Sequence, residues 1–167
     1  MTHRDFHLAK ILDGSTYEVD TDRARLDLKM VHDFLKNSHW AKDMPFAVMK
    51  RAIDHSVAFG LYRDGKQVGF ARVVTDHATF AYMADVFVSS SERDKGLGQW
   101  LVESVLAHPG LKDMRRWLLG TRHAQALYKR CGFVEPPAPF TYLEKYDPAV
   151  HERQAARGAA GRLRAVG

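Results

Sequence analysis

The sequence predicts a single α+β domain built on a mixed, mostly antiparallel sheet of six to seven strands, with about four helices on both faces. Two observations predict this class. The apolar spacing switches repeatedly between strand-like alternation and helix-like spacing, and the pair Asp64-Gly65 separates two apolar runs, as in a hairpin. A chain of 167 residues, 46% hydrophobic and 27% charged, has the composition of one ordinary globular domain.

The first third of the chain predicts one strand and two helices. Tyr17 and Val19 alternate with polar neighbours, as in a short strand. Asp27 is then a candidate N-cap for a helix, and Pro45 lies in the first turn of a second one. The apolar positions with helical spacing are Leu28, Val31, Phe34 and Leu35 in the first helix and Phe46, Val48, Met49 and Ile53 in the second.

The remaining two thirds of the sequence predict an antiparallel meander of strands, followed by helices that alternate with strands. Strands on either side of Asp64-Gly65 are followed by a third strand over 79–88 and a polar turn over 89–98. A helix beginning near Leu97 ends at His108-Pro109-Gly110. A strand over 116–119, a helix over 123–131 and a last strand over 140–143 complete the order β-α-α-β-β-β-α-β-α-β.

Charge and composition narrow the function classes. The net charge is +5, but four arginines and one glutamate in the tail 149–167 supply most of it. We therefore expect one domain over 1–148 and a flexible basic tail, and no nucleic-acid partner. An RNA or membrane-surface role for that tail stays an alternative, which predicts strongly salt-dependent binding.

Cysteine and histidine usage adds further expectations. A single cysteine, Cys131, and no apolar run near the roughly 18 residues of a membrane span predict a cytoplasmic protein. The nine histidines form no metal-ligand pattern, so we expect no metal. His3 and His7 are expected in a frayed terminus.

The turn 93–98 carries the clearest chemical signal. Arg93-Asp94-Lys95-Gly96-Leu97-Gly98 lies between a predicted strand and a predicted helix, where backbone N–H groups and the helix dipole can bind an anion. Leu101 replaces the third glycine of a dinucleotide fingerprint, and no Gly-Lys-Ser/Thr follows. The pattern therefore indicates a diphosphate site of another kind.

Two motifs resemble the GNAT superfamily of N-acetyltransferases. VSSSERDKGLG at 88–98 is similar to the family's strand-ending valine followed by Arg/Gln-x-x-Gly-x-Gly/Ala, and AQALYKRCGF at 124–133 is similar to its Ala-x-x-Leu-Tyr-x-x-x-Gly-Phe helix. The resemblance covers about residues 16–145. Departures are Thr121 in place of a CoA-contacting asparagine, Ser90 in place of a proline, and Asp94 in place of a glycine.

The resemblance implies a GNAT-like fold that binds acetyl-CoA and transfers its acetyl group to an amine. The residues implied to contact CoA are Val86, Phe87, Val88, Arg93, Asp94, Lys95, Gly96, Leu97, Gly98, Thr121 and Tyr128. Tyr128 would protonate the departing thiolate. Asp85 is a candidate general base, directly or through water, or else a hydrogen-bonding residue of the sheet, while Glu92 is expected to be a solvated loop residue.

The acceptor is implied to be a small-molecule or peptide amine, bound near 37–46 and 136–142. Trp40, Phe46 and Tyr142 are the candidate substrate-binding residues, since an aromatic rim suits an organic cation. A homodimer is compatible with this class of enzyme. The alternative is a sensor or interaction module that binds acyl-CoA without catalysis.

Overall fold

Six strands form one sheet in the computed structural model, which describes the backbone of residues 6–164 and side chains up to residue 157. The strands are β1 (His7–Leu12), β2 (Ser15–Asp20), β3 (Val57–Arg63), β4 (Lys66–Thr75), β5 (Phe80–Val88) and β6 (Arg116–Leu118). They lie side by side in chain order. The pairs from β1 to β5 are antiparallel, and only β5 and β6 run parallel. The predicted mixed, mostly antiparallel sheet is confirmed.

Five α-helices complete the fold. They are α1 (Leu28–Leu35), α2 (Phe46–Asp54), α3 (Leu97–Leu106), α4 (Gln125–Arg130) and α5 (Val150–Arg164). Of the apolar positions that the helical spacing predicts for α3, Leu97, Leu101, Val102 and Val105 are buried and Leu106 is half-buried. Short 3₁₀ turns cover Arg23–Arg25 and Ser90–Glu92. The helices therefore fall where the spacing of apolar residues predicts them, and α5 lies within the segment that we expected to be a flexible tail.

The hairpin between β3 and β4 has the turn that Asp64-Gly65 predicts. Both residues have positive φ, 47° and 80°, as a type I′ turn requires. The Asp64 carboxylate accepts a 2.9 Å hydrogen bond from the backbone N–H of Thr16. This contact ties the turn to the start of β2.

The expectation of a frayed N-terminus is wrong at His7, which begins β1. β1 and β2 form a second hairpin, whose turn residues Asp13 and Gly14 have φ of 49° and 76°. The side chain of His7 contacts Glu18 across this hairpin, with Nε2 2.8 Å from Oε1. Asp13-Gly14 is the same turn signal as Asp64-Gly65, so the sequence contained the evidence for β1. His3 lies outside the described residues.

The last predicted strand, over 140–143, does not form. These residues have no strand conformation, and Leu143 is 94% exposed. Alternating apolar residues specify a strand only when a partner supplies the ladder hydrogen bonds. β6, three residues long, pairs with β5 and with no other strand among residues 6–164, so 140–143 has no strand partner and its apolar side chains are exposed.

The chain divides into two compact units, 1–27 with 53–134 and 28–52 with 135–167. The first contains the sheet, α3 and α4, and its core is formed by apolar side chains of the strands and α3, among them Phe59, Leu61 and Val102. In the second unit Val31 and Leu35 of α1 are buried. The domain division at residue 148 stays a prediction. In the described part of the chain, no helix has both the length and the apolar character to cross a membrane.

Candidate functional site

The pairing of β5 with β6 covers only the first part of β5. Their parallel pairing covers Phe80↔Arg116, Ala81↔Trp117 and Tyr82↔Leu118. β5 continues to Val88, but among the described residues no strand pairs with 83–88 on the side of β6. A stretch of strand without a neighbouring strand has main-chain groups able to hydrogen-bond a ligand. The predicted CoA-contacting residues 86–88 lie on this stretch.

A β-bulge lies in the same stretch of β5. Phe70 of β4 faces Phe87, whereas Arg72 faces Ala84, so Asp85 and Val86 together stand opposite one residue of β4. Asp85 has a φ of 54°, a left-handed conformation that is uncommon for a residue with a side chain. Bulges bend a strand and redirect its side chains, and this one lies beyond the last pair between β5 and β6.

The side chain of Asp85 is held in an ion pair. Its Oδ2 accepts a hydrogen bond of 2.7 Å from Nε of Arg72, and the two side chains are 9% and 14% exposed. A second nitrogen of Arg72 donates to the hydroxyl of Ser56 at 3.0 Å. Because Arg72 is on β4, this pair links the bulge to the neighbouring strand. The carboxylate that the sequence nominates as general base is therefore already bound to a cation.

The turn after β5 presents unpaired backbone donors at the start of α3. Asp94 and Gly96 both have left-handed backbones, with φ of 63° and 71°. In the described part of the chain, the N–H groups of residues 95–99 meet no hydrogen-bond acceptor. Successive backbone N–H groups in a turn at a helix N-terminus form a site that can bind an anion. Arg93 and Asp94 are exposed beside these donors.

The two glycines of the turn, Gly96 and Gly98, are needed for different structural reasons. A Cβ at Gly96 would meet no atom within 4 Å, so glycine is needed there for its positive φ. A Cβ at Gly98 would lie 3.2 Å from Cδ1 of Leu127, so glycine there allows α3 to approach α4. The second glycine therefore serves the packing between the helices that carry the two sequence motifs.

Glu92 is not the solvated loop residue that we expected. It is 4% exposed, because the 3₁₀ turn Ser90–Glu92 directs its carboxylate toward the sheet. Tyr17 donates to Oε2 at 2.7 Å, Lys95 donates to Oε2 at 2.7 Å, and Arg63 donates to Oε1 at 2.9 Å. The Lys95 ammonium, followed by the Tyr17 hydroxyl, lowers the pKa of Glu92 to about 2. We call these four residues the Glu92 cluster.

Tyr128 projects from α4 and is half-buried in the core of the first unit. Its ring packs edge-on against Phe133, with centroids 5.9 Å apart. Burial raises the pKa of Tyr128, and the nearby Cys131 thiol and Tyr82 phenol raise it further. Tyr82 belongs to the last pair between β5 and β6. The phenol of Tyr128 is therefore protonated at neutral pH.

Thr121 begins the turn that leads into α4. Its hydroxyl oxygen accepts a 3.1 Å hydrogen bond from the backbone N–H of Ala124. This contact satisfies one of the donors that a helix start leaves unpaired. The hydroxyl proton of Thr121 can still be donated to a ligand, whereas the oxygen is engaged by the helix.

The three candidate acceptor residues lie in the second unit and are each about two-fifths exposed. Their rings contact different partners: Trp40 packs on His39, Phe46 on His32 and Tyr142 on Phe140. Trp40 also lines a hollow that includes Tyr146, Asp147 and His151. The shared aromatic rim stays a prediction. Among the described residues, no group of three or more His, Cys, Asp or Glu side chains is arranged to hold a metal ion.

Comparison with known proteins adds independent evidence. A family model described as an acetyltransferase (GNAT) domain matches residues 54–135. A crystal structure from Xanthomonas campestris pv. campestris, described as an acetyltransferase of the GNAT family, is 46% identical, with 81% of this chain and 96% of that chain covered and a TM-score of 0.77. A protein from Gibberella zeae that is named as an acetyltransferase is 29% identical over 133 residues, covering 67% of this chain and 75% of the relative.

One further structure adds a likeness of fold alone. It is an aminoglycoside N-acetyltransferase in complex with CoA, 19% identical, with 82% of this chain and 100% of that chain covered and a TM-score of 0.59. The family rests on the closer relatives and on the family model. The chain belongs to the GNAT family of acetyltransferases.

Proposed function

We propose that this protein is an N-acetyltransferase, which transfers the acetyl group of acetyl-CoA to a primary amine by direct attack of the amine on the thioester. The observation that carries the proposal is that β5 continues beyond its last pair with β6, Tyr82↔Leu118, without a further strand on that side among the described residues. The exposed edge of β5 leads directly into the turn whose N–H groups 95–99 lack acceptors in the described chain. One continuous segment thus offers donors for an extended amide-containing chain and for the anion at its end.

The residues of this segment fit acetyl-CoA. The positive φ of Gly96 and the open space around its Cα suit close approach of phosphate oxygens. Asp94 is exposed, so its carboxylate can point away from a bound diphosphate. Acetyl-CoA supplies the activated acetyl thioester. Main-chain groups of Val86 and Val88 would hold the pantetheine amides and orient the thioester carbonyl, as an oxyanion donor does.

Tyr128 is the proposed proton donor. A group that gives a proton to a leaving thiolate has to hold that proton at the working pH, and a tyrosine phenol, whose usual pKa is about 10, does so at neutral pH. Most of the rate acceleration is expected from the alignment of amine and thioester, since effective molarities in well-oriented reactions reach about 10⁵ M or more. Thr121 would donate its hydroxyl proton to the cofactor while its oxygen caps α4.

We assign the role of general base to neither of the two carboxylates near the site, Asp85 and Glu92. Asp85 accepts from Arg72, which supports its alternative role as a hydrogen-bonding residue of the bulge. Glu92 is buried among three donors and cannot be reached by an amine. We propose that water beside the unpaired part of β5 accepts the proton of the amine.

The second candidate function is an acyl-CoA sensor without catalysis. The engagement of both carboxylates by basic side chains favours it, because a sensor needs no base. The two are separated by a thiol-release assay with acetyl-CoA and a panel of small amines, amino acids, peptides and aminoglycosides, with mass analysis of the products. Acetylated amine supports the enzyme. Tight CoA binding with no release across the panel supports the sensor, and absence of CoA binding contradicts both.

A further inference from the structure

The Glu92 cluster lies directly behind the turn that the proposed function assigns to the CoA phosphates. It joins that turn to Tyr17 of β2 and Arg63 of β3 through hydrogen bonds of 2.7 and 2.9 Å. Lys95, which belongs to the turn itself, donates to the same carboxylate at 2.7 Å. The contact between Glu92 and Lys95 spans Arg93 and Asp94, so it constrains the residues immediately before the free N–H groups.

The Glu92 cluster also gives the two cations of the turn, Lys95 and Arg93, different roles. The Lys95 ammonium is ion-paired with Glu92 and lies 3.4 Å from the Tyr17 hydroxyl. Arg93 is exposed and has no ion-pair partner among the described residues. A cation already neutralised by a buried carboxylate attracts a ligand phosphate less than an unpaired one does. Arg93 is therefore the side chain that can meet the ligand's charge.

A carboxylate with several donors in a buried setting has one favourable orientation. Each bond to the ionised Glu92 is charge-assisted, and such bonds are short and about twice as strong as neutral ones. Their donors come from two strands and from the turn itself, which makes the turn part of the sheet's rigid frame. Preorganised N–H donors bind an anion better than donors that have to be ordered on binding.

We propose that Glu92 is a positioning residue for CoA binding: its carboxylate holds Lys95, and with it the N–H groups of residues 95–99, in the conformation that binds phosphate. Lys95 acts as a structural cation and Arg93 as the ligand-binding one. The inference rests on the proposed function for the identity of the ligand. For the loss of the Glu92 charge, it predicts weaker CoA binding, whereas Coulomb attraction alone predicts tighter binding.

The test compares Glu92→Gln with Asp94→Asn by calorimetric titration with CoA. Both variants remove one negative charge from the same turn. By Coulomb attraction alone, each would bind the CoA phosphates more tightly. We expect Asp94→Asn to bind CoA up to about two-fold more tightly, since surface charge is screened, and Glu92→Gln to bind roughly ten-fold more weakly because the turn is released. In turnover assays Glu92→Gln should raise the KM for acetyl-CoA and leave kcat unchanged.

Tyr17→Phe provides a milder variant that retains the charge of Glu92. It removes one hydrogen bond, so we expect severalfold weaker CoA binding and faster hydrogen exchange of the 93–99 amides in the ligand-free protein. This variant decides the inference if Glu92→Gln does not fold. Unchanged exchange and unchanged affinity in Tyr17→Phe, or tighter binding in a folded Glu92→Gln, would overturn the proposal. CoA binding by the unaltered protein is measured first, because its absence contradicts the proposed function, whereas the exchange measurement still tests the positioning role.

Discussion

The hydroxyl of Tyr17 donates a 2.7 Å hydrogen bond to the buried carboxylate of Glu92, across 75 positions of the sequence. The bond joins a strand near the N-terminus to the turn that leads into α3. Both residues are almost fully buried, at 1% and 4% exposure. The ionised carboxylate is therefore part of the folded structure and contributes to its stability.

This arrangement predicts a specific acid sensitivity. The pKa of Glu92 is lowered from 4.5 to about 2 by Lys95 and then Tyr17, so its stabilising contribution is complete above about pH 4.5 and is lost as the pH falls toward 2. Thermal unfolding should show a Tm difference between the unaltered protein and Glu92→Gln that is largest above pH 5 and shrinks on acidification. A constant difference from pH 6 to pH 2.5 would contradict the lowered pKa.

Gly96 and Gly65, two of the four glycines with positive φ among the described residues, provide a matched pair of variants. A Cβ at either would meet open space, so alanine introduces only backbone strain, about 1–2 kcal/mol for a left-handed residue. Gly96→Ala and Gly65→Ala should lose similar stability in urea unfolding. Only Gly96→Ala should weaken CoA binding, because Gly65 lies in the hairpin between β3 and β4. Equal CoA affinity in the two variants would argue against the phosphate-binding role of the turn.

Removal of the Tyr128 hydroxyl should affect chemistry more than binding. Tyr128→Phe keeps the ring that packs on Phe133, so we expect a fall in kcat of about 100-fold, at the lower end for a general acid, with little change in CoA affinity. Tyr82→Phe is the control, since it removes the neighbouring phenol and leaves that of Tyr128. If the two variants have equal kcat, Tyr128 is not the proton donor.

The ion pair between Asp85 and Arg72 predicts a loss of stability. Asp85→Asn keeps the size and tolerates the positive φ, but it leaves Arg72 buried without its counter-charge, which costs about 3 kcal/mol. Asp33→Asn is the control, because Asp33 forms exposed pairs with Lys29 and Lys36 and such pairs contribute little. Urea unfolding measures both.

The same variant tests the remaining role of Asp85. A general base would show itself as a kcat that falls steeply in Asp85→Asn while the unfolding free energy is unchanged. A bulge residue shows the opposite pattern, with a large loss of stability. Comparing the loss of kcat with the loss of unfolding free energy in Asp85→Asn therefore separates a general base from a hydrogen-bonding residue of the sheet.

Local chemistry in the sequence was sufficient for most of the elements. Asp64-Gly65 predicted a hairpin because its type I′ turn needs two residues with positive φ, and Asp13-Gly14 carries the same signal for the hairpin at the N-terminus. The apolar spacing of α3 predicted which side chains are buried. These features depend on a few neighbouring residues, so they can be read from one segment of chain.

The strand predicted over 140–143 and the environment of Glu92 could not be read in this way. A strand needs a partner, and no local pattern shows whether one is available. The partners of Glu92 lie 75, 29 and 3 positions away, and a glutamate in a polar loop looks solvated until the strands that surround it are assembled. The sequence by itself determined the family and the order of the elements between β2 and α4, because these depend on local motifs, and it predicts the phosphate-binding role of the turn. Only the tertiary structure decided which charges are paired, since pairing depends on distances between segments that are remote along the chain.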